Sequence, residues 1–244
     1  MFFNKKRDCM LKRKIKEISS VLYRNLIYPF KRMRTERKTG STMLPGSYLF
    51  KDSRLLGKNY LGKRTVLRNT EVGFGSYLNN GCDMTDTIIG KYTSIGTNVR
   101  TVLGSHPLNG QVALHPAFFS KSGAMGYTYV SEDNYEDFKY IDKDKKIQVV
   151  IGSDVWIGDD VRILGGNKIA DGCVIGTGSI VTKDTVPYGI YAGVPAKLIR
   201  KRFDDDKIAA LLEMKWWDKG EDFIKEHIEK FYDVNRLIEC NKAE

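Results

Sequence analysis

The sequence predicts a mainly β protein wound as a parallel β-helix, with an excursion loop, an amphipathic helix before the coil and helices after it. Three observations lead there. Residues 151–181 carry an aliphatic side chain at every sixth position, namely Ile151, Ile157, Ile163, Ile169, Ile175 and Val181, with Gly152, Gly158 and Gly176 directly behind three of them. The same step runs earlier through Val66, Val72, Leu78 and Met84 and, after a one-residue slip, through Ile89, Ile95 and Thr101. Between the two stretches lies an aperiodic interval rich in aromatic and polar residues, 104–146.

A helix repeats its apolar face every third or fourth residue and a half-buried strand every second, so a six-residue step is neither. A short fixed period is the mark of a stacked coil, in which each turn buries its interior only against its neighbours. With six residues to a face, a branched aliphatic at one place in every face points inward, and stacked copies make a continuous apolar column. Branched side chains suit that place because their stiff χ1 loses little in an extended backbone. Glycine and small polar residues between them suit corners, where a positive φ is often needed.

Taken along the chain, Leu11, Ile15, Ile18, Val21, Leu22 and Leu26 fall at helical spacing, so an amphipathic helix is expected over 8–27, with Pro29 ending it. Clustered Gly, Ser, Thr and Pro make 35–47 read as a linker. The expected organisation is a basic helix and linker at 1–47, the coil at 48–202 with its loop at 104–146, and a helical extension at 203–244. Two helical patterns fill that extension. One has Ile208, Leu211, Leu212 and Trp216 on a face after an acidic start, and the other has Phe223, Ile224, His227, Ile228 and Phe231.

The formal net charge is +10, and much of the excess lies in residues 5–38. Such a stretch suits an anionic membrane surface, nucleic acid, or a solvated helix face that caps the coil end. The interleaved apolar residues favour membrane contact through residues 8–38 over nucleic acid. No apolar run reaches the length of a membrane span, and no secretory leader is expected at the start of the sequence. Cys9, Cys82, Cys173 and Cys240 are far apart with no CxxC, which speaks for reduced thiols in a cytoplasmic protein and implies no zinc site. Metal, P-loop and nucleophile-elbow motifs are missing, and "GFGSYL" at 73–78 lies inside the six-residue register as coil corners.

"IGSDVWIGDDVRILGG", "IGTGSIVTKD" and "YAGVPAKLIRKRF" closely resemble the left-handed β-helix acyltransferases of the hexapeptide-repeat class. The resemblance covers about residues 60–230 and is nearest to the xenobiotic acetyltransferases and the bacterial O-acetyltransferases for sugars. Left-handedness comes from the resemblance, since crossover chirality alone would give the opposite hand. The resemblance implies acetyl-CoA as co-substrate, a homotrimer with the pantetheine arm in a groove between subunits, and a catalytic histidine in a short "HP" segment. "GSHP" matches that segment and makes His106 the expected general base, a role suited to imidazole, whose unperturbed pKa is about 6.5. His115, in "ALHP", is the competitor and otherwise an acceptor-site residue. His227 reads as a packed or surface histidine. Neither Asp83 nor Asp86 has a motif to make it the partner that orients His106, though both are candidates.

Carried over position by position, the resemblance assigns coenzyme A contacts to Asp159, Thr177, Thr182, Lys183, Lys197 and Arg200. Asp159 departs from the family, since serine stands there in a related sugar acetyltransferase and an ionised carboxylate cannot donate. Thr177 stands where alanine is common. Lys197 and Arg200 stand where basic side chains meet the phosphate end. Acceptor choice is expected in the excursion loop, through His115, Phe118, Tyr127 and neighbouring aromatics, which either stack on an acceptor or pack a neighbouring subunit. The expected function is acetyl-CoA-dependent O-acetylation of a bacterial surface polysaccharide or its sugar precursor, in the cytoplasm and at its membrane face. The alternatives are a chloramphenicol- or streptogramin-type acetyltransferase and a catalytically silent scaffold.

Overall fold

The computed structural model describes residues 22–50 and 52–243, and within them the six-residue step becomes a coil of stacked parallel rungs. One face holds Thr42–Met43, Tyr60–Leu61, Tyr77–Leu78, Ser94–Ile95, Trp156–Ile157, Val174–Ile175 and Gly189–Ala192, each hydrogen-bonded to the next. The antiparallel strand Lys197–Lys201 closes that sheet. A second sheet covers the other two faces, because the seven-residue strands Val66–Val72 and Asp83–Ile89 bend from one face to the next. Asn69 and Asp86 supply the bends with positive φ values of 43° and 50°. Asparagine and aspartate tolerate that region better than other residues with a Cβ.

The inward column is Met43, Leu49, Leu55, Leu61, Leu67, Val72, Leu78, Met84, Ile89, Ile95 and then Ile151 through Val181, every member buried. Each such side chain contributes roughly 1.5–3 kcal/mol of burial. The column thus starts before the repeat read from sequence, and Leu67 rather than Val66 points inward, with Val66 half-buried. The misplacement has a physical source. The steps from Leu67 to Val72 and from Met84 to Ile89 are five residues long, and they coincide with the bends at Asn69 and Asp86.

A second buried column stands two residues before the first, through Ser41, Ser47, Ser53, Asn59, Thr65, Thr70, Ser76, Cys82, Thr87, Thr93 and Val99, then Val149, Val155, Val161, Asn167, Cys173 and Ser179. Only small or short-branched side chains fit inside the corners, and most members are polar because rung carbonyls are within reach. Ser76 Oγ donates to the Gly90 carbonyl at 2.7 Å, and Thr93 Oγ1 donates to that of Gly152 at 2.7 Å. Cys82 and Cys173 are members of this column, and burial pushes the Cys82 thiol up to about 11. The glycine behind an aliphatic residue has an equally direct cause. A Cβ on Gly90 would lie 2.5 Å from the backbone of Gly152 and Ser153 in the next rung.

The excursion leaves the coil without disturbing its register. Ile89 pairs with Ile151, Ile95 with Ile157 and Thr101 with Ile163. Ile95 and Ile157 are 62 positions apart rather than the 18 that separate Ile157 from Ile175, a difference of 44 residues.

At the N-terminal end the chain departs from expectation. Residues 8–21 of the expected helix lie outside the described residues. A π-helical turn at Tyr23–Ile27 runs into an α-helix at Tyr28–Thr39, so Pro29 does not end the helix but sits in the first turn of its α segment, where its missing N–H costs least. Gly40, with a φ of 63°, ends it instead. The segment read as a linker holds the end of this helix and the first strand, Thr42–Met43. Tyr28 stacks on Tyr48 with ring centroids 4.0 Å apart, and its oxygen accepts from Leu49 N at 2.6 Å, which fixes the helix to the coil.

After the coil, Asp205–Met214 is helical, and the second expected helix is broken into Gly220–Glu226, Ile228–Tyr232 and Val234–Ala243. The breaks fall at His227 and at the extended residue Asp233. Tyr188, Ile208, Leu211, Met214 and Leu237 form a small second core there. The Trp216 ring lies 5.2 Å from that of Tyr92 on a coil corner, and Lys91 pairs with Asp218 at 2.8 Å, so the tail is held against the coil.

Candidate active site

The strand Arg100–Val102 opens into the excursion, and His106 stands just beyond it, exposed, before the buried Pro107. Its Nδ1 lies 2.6 Å from the carbonyl oxygen of Leu114. A carbonyl only accepts, so Nδ1 carries the hydrogen and Nε2 keeps its lone pair. The ring also meets Phe119 edge-on at 5.6 Å, and Phe119 is buried. These two contacts fix both the tautomer and the plane of the imidazole.

Asp137 comes back to the same place from the far arm of the loop. Its backbone carbonyl accepts from Ser105 N at 2.8 Å, immediately before the histidine. One oxygen of its side chain, Oδ1, is enclosed with no hydrogen-bond partner. Burial raises its carboxyl above the usual range, and the charge of His106 pulls it the other way. Ser105 Oγ and Tyr135 Oη, 2.7 Å apart, tie the two arms together. Sequence reasoning missed Asp137, since nothing in an aperiodic loop signals a pairing over thirty-one positions. Neither carboxylate considered from sequence serves this role. Asp83 is ion-paired with Arg68, while Asp86 accepts from Asn69 Nδ2 at 2.9 Å and Gln148 Nε2 at 2.9 Å on a coil corner.

His115 is held differently. Its Nδ1 accepts from Ala117 N at 3.2 Å, capping the short turn Pro116–Phe118, and its ring lies nearly parallel to that of Tyr127 at 5.9 Å. Tyr127 meets Tyr129 at 5.5 Å, and Tyr129 meets Phe118 at 5.2 Å. The loop thereby gathers His115, Phe118 and Tyr127 into one exposed aromatic group, joined to His106 through Leu114 and Phe119. His227 is buried, with its ring stacked on Phe223 at 4.6 Å, in the tail rather than the loop.

The residues assigned to coenzyme A fall at two corners of the coil and on its closing strand. Thr182 and Lys183 follow Ile180–Val181, on the edge where the loop of His106 begins, since Arg100–Val102, Arg162–Leu164 and Ile180–Val181 are successive neighbours. Asp159 and Thr177 lie one rung apart on another corner, after Trp156–Ile157 and Val174–Ile175. Asp159 Oδ1 accepts from Thr97 N at 2.6 Å. Asp171 accepts from Ser153 N and Asp184 from Lys168 N in the same way, each at 2.7 Å, so the Asp159 carboxylate has a structural use on a corner. Lys197 and Arg200 are exposed on the closing strand, and Arg200 lines a depression of about 680 Å3 with Lys201, Arg202, Lys207, Asp204 and Asp205, the last ion-paired with Lys201. Trp156, also missed from sequence, is 59% exposed on the flat face, in register with Ser94 and Val174. Among the described residues no group of three or more His, Cys, Asp or Glu converges as for a metal ion, and no helix is long and apolar enough to cross a membrane.

Comparison with known proteins agrees with this architecture. The family model "Bacterial transferase hexapeptide (six repeats)" matches residues 148–183. A chloramphenicol acetyltransferase of Agrobacterium fabrum is 41% identical over 138 residues, which cover 53% of this chain and 58% of that protein. A protein of Lysinibacillus sphaericus described as a probable macrolide acetyltransferase is 38% identical over 58% of this chain and 74% of its own length. The galactoside O-acetyltransferase of Escherichia coli K12 is 33% identical over 57% of each. The chain thus spans less than two thirds of the length of the Agrobacterium and Escherichia relatives. With the repeat matched by the family model and 38% identity reaching across three quarters of the Lysinibacillus protein, this chain belongs to the hexapeptide-repeat acyltransferase family.

Proposed function

We propose that the protein is an acetyl-CoA-dependent O-acetyltransferase in which His106 takes the proton from an acceptor hydroxyl. The observation that carries this reading is the 2.6 Å bond from His106 Nδ1 to the Leu114 carbonyl, which presents Nε2 as a base at the coil edge. A hydroxyl is too weak an acid to ionise near neutral pH, so its proton moves to Nε2 as its oxygen bonds to the thioester carbonyl carbon. The carbonyl electrons collect on oxygen. When they return, the C–S bond breaks, the departing thiolate takes the proton from the imidazolium, and an acetyl ester and free coenzyme A remain. Asp137 acts in the middle of this sequence, because its negative charge favours the imidazolium that forms beside it. No covalent enzyme intermediate is needed.

Thr182, Lys183, Asp159 and Thr177 are proposed to meet the pantetheine arm, and Lys197 and Arg200 the phosphates. One chain puts these positions on different corners, so a groove that includes them all calls for neighbouring copies. A homotrimer supplies such grooves. The exposed rings of Tyr60, Tyr77 and Trp156, in register on one face, support a subunit contact there. The acceptor is proposed to be a sugar hydroxyl of a bacterial surface polysaccharide or its precursor, stacked on the group formed by His115, Phe118 and Tyr127. The donor places the reaction in the cytoplasm, where acetyl-CoA is made. A second reading, acetylation of a drug by the same chemistry, is favoured by the 41% and 38% identity to the Agrobacterium and Lysinibacillus proteins.

Release of free thiol from acetyl-CoA, measured with oligosaccharides and separately with chloramphenicol and a macrolide, tests these readings. Sugar-dependent release supports the first and drug-dependent release the second. Release with neither, under conditions where coenzyme A binds, would leave a scaffold.

A further inference from the structure

We propose that the N-terminal helix is a docking surface for an anionic lipid membrane. Beyond the attachment at Tyr28, Glu36 Oε1 accepts from Met43 N at 2.8 Å, so the helix is held to the coil at two points on one side. The side turned away from that attachment is left with Leu22, Leu26, Ile27, Phe30 and Met33, all exposed, Phe30 by 74%. Their spacing makes one stripe along the helix. An apolar stripe of this length facing water marks an interaction surface.

The charges around the stripe say what covers it. Residues 28–40 hold Lys31, Arg32, Arg34, Arg37 and Lys38 against a single acid, Glu36, which is already bonded to Met43 N and lies 4.0 Å from Arg32. Phe30 and Met33 share a shallow depression with Arg34, Arg37 and Lys38, so apolar anchors and cations stand together. Lipid with anionic headgroups offers both complements at once, acyl chains for the stripe and phosphates for the cations. A nucleic acid would use the cations and leave the stripe in water, and an apolar protein partner would leave the cations unmatched. Among the described residues no helix is long and apolar enough to cross a membrane, and a basic helix of this kind lies in the plane of the interface. This surface is independent of the acetyl-transfer reading.

The test is co-sedimentation of the full chain with vesicles of phosphatidylcholine alone or mixed with phosphatidylglycerol. Binding is expected only to the mixed vesicles and to weaken with added salt. The triple variant R34E/R37E/K38E should bind roughly a hundredfold more weakly, and F30E/M33E at least about tenfold more weakly. Both should keep the circular dichroism and molecular mass of the parent. Equal binding to neutral vesicles, or variants that bind as the parent does, would overturn the proposal. So would a drop in oligomeric mass on F30E/M33E, which would give the stripe to a second copy, or an equal loss of DNA retention by the triple variant with vesicle binding intact.

Discussion

At the scale of single residues, one backbone carbonyl decides what His106 can do. The Leu114 oxygen takes the hydrogen of Nδ1, and a protein group that only accepts leaves Nε2 free to act as a base. Asp137 supplies charge rather than a hydrogen bond, and its replacement by asparagine keeps the shape and removes the charge. Asp137→Asn is therefore expected to lower kcat about tenfold with little change in the KM for acetyl-CoA, measured by thiol release. The candidate site is legible in sequence only in part, for a definite reason. A histidine before a proline can be seen in a string of letters, but its orienting partner is a carbonyl that every residue has, and Asp137 reaches it through a loop with no period. The cysteines give a second prediction at this scale. Burial holds the Cys82 thiol near 11 and raises that of Cys173, so among the described cysteines only the half-buried Cys240 should react with a thiol reagent in the native protein at neutral pH.

At the scale of elements, the coil is a set of rungs whose stability comes from contact with the rungs above and below. Ile157 is fully buried between Ile95 and Ile175, and Ile157→Ala should cost about 3 kcal/mol in urea unfolding. A much smaller loss would mean that the column is not continuous. The N-terminal helix depends on the Tyr28 phenol, which burial pushes up to about 12 from the ordinary 10.0. A raised pKa in the folded state means that the native form favours the neutral phenol. Its contribution is complete below pH 10 and is lost as pH rises toward 12, on the order of 2 kcal/mol. Tyr28→Phe should remove that part of the alkaline stability loss. What the letters reveal at this scale follows the same physics. The unbroken six-residue step at 151–181 is plain, because each face there has the same length. The five-residue faces at Asn69 and Asp86 shift the apparent register by one and hide Leu67. The small-residue column hides because serine, threonine and cysteine do not read as core, although inside a corner they are the side chains that fit.

At the scale of the whole molecule, the coil is a rigid support from which one loop carries His106, the proposed base, and one helix carries the apolar, basic surface. The register kept across the excursion explains how 44 extra residues can be inserted without loss of the column. A trimer is the assembly that would join the corner of Asp159 and Thr177 to the edge of His106, Thr182 and Lys183. Light scattering should give three times the mass of one chain, and Trp156→Asp should lower that mass if the flat face is the contact. The measurement that bears most directly on the whole proposal is the single-turnover rate of acetyl transfer by the His106→Ala protein, with its fold checked by circular dichroism. Loss of the imidazole should slow transfer by about 10²–10⁴-fold while coenzyme A still binds. Transfer at the parent rate would take the base away from His106 and with it the mechanism.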